Sequence, residues 1–105
     1  MSKEFRCPTC GTDLTEHGAG ECLDAWVESQ RVEQAMYYPD YSTDYAAAWT
    51  LMREVWRMKE YITVIGNEYI EITPHSNGLA HFQIGGPTFP VRVCRAYVFL
   101  KLGGK

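Results

Sequence analysis

Four residues near the start of the chain have the types and spacing of a metal site. Cys7-Pro8-Thr9-Cys10-Gly11 sets two thiols either side of a tight turn, and His17 and Cys22 follow within a short reach. Zinc takes four soft or borderline ligands in a tetrahedron, and a Cys-x-x-Cys turn supplies the first two. Gly11 has the backbone freedom that a turn after the second thiolate needs. His17 in the loop and Cys22 at the start of a helix then complete a Cys₃His site. Four protein ligands leave no open position for water, so such a zinc is structural. Two other readings of these residues stay open. Cys22 can be a small buried hydrophobe beside Leu23 and Trp26. The pair can also be a redox dithiol, although that motif usually opens a helix after a strand.

Further along, Glu71, His75 and His81 are the residue types of a two-His, one-carboxylate metal centre. Their bland alternative is a solvated strand face. Cys94 stands among apolar residues with no base at a useful spacing, so it reads as a core thiol and not a nucleophile. Tyr37, Tyr38 and Tyr41 cluster before a helix, where they either pack the loop or meet a partner. Arg53 and Arg57 are four apart, and Arg92 and Arg95 are close in sequence. Each pair is either solvated or aimed at an anionic ligand.

Helices and strands must position these groups. The spacing predicts a first helix over 20–35, with Leu23 and Val27, and Cys22 and Trp26, sharing a face. Glu21 and Asp24 lie in its first turn, where negative charge is favoured. Pro39 ends it. Ser42 or Thr43 caps a second helix over 43–60, whose apolar stripe runs Tyr45, Ala48, Trp49, Met52, Val55, Trp56. The stretch from Glu68 to Gly85 reads as a β-hairpin turning at Ser76-Asn77-Gly78. A two-residue loop would pair Ile72 with Gln83. A three-residue loop pairs Ile72 with Phe82 and Ile70 with Ile84, gathering one apolar face, and is preferred. It leaves Glu71, Thr73, His75, His81 and Gln83 on the other face. Tyr61 to Gly66 is open to being a third strand. The final segment has β-branched residues that permit a strand. Thr88 as cap, Pro90 in the first turn and Gly103 as stop favour a helix over 89–102.

The order is knuckle, helix, helix, hairpin, helix. The expected fold is α+β: a small antiparallel sheet packed with helices in an α/β/α sandwich, with residues 1–19 as a zinc-knuckle-like segment and 20–105 as one compact domain. A chain of 105 residues has room for one core. No charged-to-apolar leader pattern opens it, and its longest apolar run is too short to span a bilayer, so a cytoplasmic protein with no membrane partner is expected. A reducing cytoplasm turns four cysteines towards metal or free thiols. The net charge of −3 gives no positive field for nucleic acid.

Three segments together resemble a known family: Gly20 to Val32, Tyr41 to Val55 and His81 to Val98. An acidic-Leu-Asp helix, the Tyr41-Ser42-Thr43-Asp44 start of an Ala-Ala-Trp helix and a final Cys94-Arg95-Ala96 helix are similar to the phage ABA-sandwich domain family. Some members of it also carry a Cys-Pro-x-Cys knuckle. The resemblance spans residues 20 to 102 in outline. It implies a sandwich of helices and sheet and a bacteriophage or prophage origin, and it implies no activity.

Three functions fit the residues. The first is a non-enzymatic binding protein acting on a host protein or a small nucleotide, as an inhibitor of a host defence complex or by sequestering a signalling nucleotide. The second is a zinc-knuckle nucleic-acid-binding module, which the acidic charge and the lack of a basic stripe disfavour. The third is a small metal-dependent hydrolase built on Glu71, His75 and His81. Self-association into a homo-oligomer is also open. The first function is preferred.

Overall fold

The computed structural model describes residues 20–31, 39–58, 60–76 and 78–101, together with Gly11 and Gly18. Its elements are α1 (Glu21–Arg31), α2 (Tyr45–Trp56), β1 (Tyr61–Ile65), β2 (Tyr69–Pro74), β3 (Phe82–Gly85) and α3 (Phe89–Lys101). The three strands form one antiparallel sheet in the order β1-β2-β3. The α+β architecture expected from the sequence is therefore present, with Tyr61–Ile65 as the third strand.

The β2–β3 register is the one that gathers the apolar residues, Ile70 opposite Ile84 and Ile72 opposite Phe82. The connection differs from the expected three-residue loop. The β2–β3 ladder stops at Ile72 and Phe82, because Pro74 has no N–H to extend it. The next donor, the His75 N–H, goes to the Glu60 carbonyl at the β1 side instead, at 2.9 Å. At the β1–β2 turn the Gly66 N–H donates to the Tyr69 carbonyl at 2.8 Å. The Tyr69 ring lies over Gly66, where an added Cβ would come within 2.8 Å of it. A side chain there would have to displace the ring.

α3 is central. It touches α1, α2, β2 and β3, and its residues from Pro90 to Leu100 are buried except Arg92 and Arg95, which are half-buried. A helix apolar on nearly every side belongs inside a core. Burial thus overrides the strand preference of Val91, Val93 and Val98. Thr88 starts the helix, accepting from the Val91 N–H at its Oγ1 (3.4 Å) and from the Arg92 N–H at its carbonyl (3.0 Å). Arg92 Nε donates to the Gly86 carbonyl and Arg95 Nη1 to the Gly85 carbonyl. The two arginines hold the helix start to the end of β3.

The second helix departs from expectation at its start and in its facing. Its N-cap is Asp44, whose carboxylate accepts from the Ala46 N–H at 2.9 Å. Ser42 is not the cap because its hydroxyl accepts from the Gly20 N–H at 3.0 Å, and Thr43 is exposed. The buried residues are Ala48, Leu51, Met52 and Val55. Tyr45, Trp49 and Trp56 lie on the flank and remain 58, 42 and 47 % exposed.

The core joins Leu23 and Val27 of α1, the four buried residues of α2, Ile70 and Ile72 of β2, and the inner face of α3. Tyr61, Ile65, Phe82 and Ile84 pack at its edge. The described helices cover this side of the sheet. The opposite face carries Ile62, Val64, Glu71, Thr73 and Gln83 and has no described helix over it. Among the described residues, no helix is long and apolar enough to cross a membrane.

Candidate functional site

The residues that carry chemistry separate into a buried polar tie and two exposed surfaces. The tie joins α1 to the turn before α2. Asp24 is buried, and its Oδ1 accepts from the Ser42 N–H at 2.7 Å. Tyr41 is buried too, so it is a core residue and not the exposed contact residue considered from the sequence. Its hydroxyl donates to Glu28 Oε1 at 3.2 Å and accepts from Arg31 Nη1. Arg31 also pairs with Glu28 at 3.1 Å and with Glu54 of α2, and lies over the Tyr41 ring. Burial pushes the Tyr41 phenol up to about 12, against the opposing pull of Arg31. Burial raises Tyr97 to about 12 as well, helped by Glu54.

This tie accounts for much of the sequence motif that resembles a family. Asp24, Tyr41, Ser42 and Asp44 serve packing and capping. Cys94 and Ala96 are buried in the core. Burial, with Asp24 nearby, pushes the Cys94 thiol well up, so it is no nucleophile.

The second group is the open sheet face. His81 Nδ1 lies 3.0 Å from Thr73 Oγ1 and 3.6 Å from Glu71 Oε1. His75 does not join them, because the β2–β3 ladder ends before it and its backbone turns to β1. Among the described residues, no group of three His, Cys, Asp or Glu side chains could hold a metal ion. The hydrolase reading loses its constellation for that reason. Beside the polar pair, Ile62 and Val64 are 49 and 54 % exposed. The register sets Ile62 opposite Thr73 and Val64 opposite Glu71, so the face has an apolar edge along β1 and a polar side along β2 and β3.

The third group is an aromatic ridge along α2. Tyr45 stacks on Phe89 with centroids 6.1 Å apart and planes 12° apart. Trp49 packs on Phe89 at 5.0 Å and on Trp56 at 5.9 Å. Trp56 Nε1 donates to the Thr63 carbonyl at 3.2 Å, so the ridge ends at β1. Arg53 and Arg57 are exposed beside it, and neither side chain has a partner among the described residues. The sequence reading put the three aromatics in one broad apolar stripe with Ala48, Met52 and Val55. The warning was the width of the apolar stripe. The six positions span about 120° at 100° per residue, and Leu51, which the stripe left out and the structure buries, widens it to about 160°, against the ~100° a core-facing helix needs.

Of the proposed zinc ligands, Cys7, Cys10 and His17 lie outside the described residues, as do Tyr37 and Tyr38. Cys22 is in the first turn of α1, half-buried against the edge of the core. Gly11 has φ +75°, the left-handed backbone that glycine takes without strain and that suits the turn after Cys10. These two features fit a knuckle. Comparison with family models, with curated proteins and with solved structures gave no match for the chain.

Proposed function

We propose that this chain is a non-enzymatic binding protein, of phage origin, that acts on a host protein through the open face of its sheet. The observation that carries the reading is the pair Ile62 and Val64, about half exposed on a strand face that no described helix covers. A solvated sheet face ordinarily alternates apolar-in with polar-out. Here the outward positions of β1 are β-branched aliphatics, next to Glu71, His81 and Gln83. Apolar contact bordered by hydrogen-bonding groups is the make-up of a protein interface. An open strand face suits a protein surface better than a signalling nucleotide, which needs a concave site.

The test compares wild type with the Ile62→Lys/Val64→Lys variant in quantitative affinity purification from a bacterial lysate. Proteins retained by wild type and lost by the variant, at equal thermal stability, support the reading. Identical sets overturn it.

The same proposal includes a structural zinc on Cys7, Cys10, His17 and Cys22. It would supply a cross-link between the N-terminal segment and α1, and no reaction chemistry. Removing it with a chelator is expected to lower the melting temperature by about 5–10 °C, equivalent to ~1–2 kcal/mol in a domain of this size. Native mass spectrometry should show one zinc per chain, absent from Cys10→Ser. A bare chain with unchanged melting overturns the knuckle.

A further inference from the structure

The aromatic ridge of α2 is a surface of a different kind from the sheet face. Tyr45, Trp49 and Trp56 are each about half exposed, and Ala46 and Thr50 are exposed beside them. At 100° per residue, Tyr45, Trp56 and Trp49 fall within about 40° of one another, and Arg53, Ala46 and Arg57 continue the same surface. Two small residues in such a strip let a second helix approach closely.

Charge is distributed along this helix by position. The exposed Asp40 and Asp44 lie at its N-terminal end, and the exposed Arg53 and Arg57, whose side chains have no partner among the described residues, at its C-terminal end. A helix acidic at one end and basic at the other complements itself when turned end for end. Its backbone dipole has the same preference, since antiparallel helices set positive ends beside negative ones.

We infer that the aromatic face of α2 is the interface of a two-fold homodimer, in which a second copy packs its own α2 antiparallel on this one. With the axis between Trp49 and Arg53, Trp49 of each copy meets Arg53 of the other, a cation–π contact. Arg57 of each copy then meets the Asp44–Tyr45 end of the other. A two-fold interface has to be self-complementary in this way. Fully buried aromatics cover 150–250 Å² each, so the half-exposed rings of two copies supply roughly 500 Å². The flanking residues bring the contact near the ~1,000 Å² of a specific interface. The sheet faces stay outside it, and the dimer would present two of them. The inference does not depend on what those faces bind.

Sedimentation velocity over about two decades of concentration tests it, because self-association is concentration-dependent. The wild-type chain is expected to pass from monomer to dimer, and its tryptophan emission to shift blue as Trp49 and Trp56 are covered. Trp49→Glu and Thr50→Arg both alter exposed side chains, and each is expected to weaken the dimer at least tenfold. Val64→Lys is expected to leave it intact. A chain that stays monomeric throughout overturns the inference and gives the ridge to a foreign partner. A dimer unmoved by both α2 variants, or abolished by Val64→Lys, overturns it as well.

Discussion

Tyr41→Ala is expected to cost about 3–5 kcal/mol, a loss typical of removing a large buried ring. A domain of this size has only about 5–15 kcal/mol to lose. The melting temperature should fall by about 15–25 °C. Two effects combine at this position. The ring is fully enclosed, and its hydroxyl lies between Glu28 and Arg31, which also reaches Glu54 on α2. Removing the whole side chain therefore opens a cavity and strands buried polar groups. Tyr41→Phe separates the two. It keeps the ring and should cost about 1–2 kcal/mol, the worth of a buried hydroxyl with charged partners. Thermal melts of both variants measure the difference. A Tyr41→Ala variant that melts within a few degrees of wild type would show that α1 and the α2 turn are not joined through this residue.

The second large effect is alkaline. Tyr41 and Tyr97 titrate near 12 in the folded chain, against an ordinary 10.0, because burial disfavours their phenolates. The unfolded chain loses these protons first as pH rises. Stability from the two tyrosines is fully present below pH 10, declines between about 10 and 12, and is gone above. Each phenol accounts for roughly 2–3 kcal/mol of that decline. They share the Arg31–Glu54 surroundings, so their titrations are coupled and the two losses do not simply add. Denaturant melts at stepped pH should show midpoints flat to pH 10 and falling steeply beyond it. In Tyr41→Phe the fall should be shallower. An unchanged slope in that variant would remove Tyr41 from the account.

The legible parts of this sequence were those governed by short-range rules. The β2–β3 register follows from pairing Ile70 with Ile84 and Ile72 with Phe82, since a one-residue slip would send every apolar side chain to solvent. The start of the final helix follows from Thr88 and Pro90, a cap and a first-turn residue that act over neighbouring positions. The existence of α2 follows from its periodicity. Its facing does not, because seven apolar positions, Leu51 included, make a stripe too wide to bury, and periodicity cannot say which flank stays out. α3 and β1 decide that. α3 takes the Ala48, Leu51, Met52 and Val55 side, and Trp56 is drawn to the edge of β1 by the Thr63 carbonyl.

The candidate sites divide along the same line. Glu71 and His81 come together just beyond the end of the β2–β3 ladder, on the face where the expected register put both. His75 does not join them, and it lies past Pro74, with its N–H bonded to Glu60 on the β1 side. Tyr41 looked like a loop aromatic and is a core anchor. Its burial depends on Glu28, Arg31 and Glu54, residues from two helices that are distant in sequence. Local sequence thus specified the elements, the Thr88 start of the final helix and one strand register, because each rests on neighbours a few residues apart, whereas the cap of α2 passed to Asp44 once Ser42 was taken by Gly20 of a distant segment. Which faces remained open to partners was decided by the packing of elements far apart in the chain, since exposure is what is left after every helix and strand has chosen its neighbours.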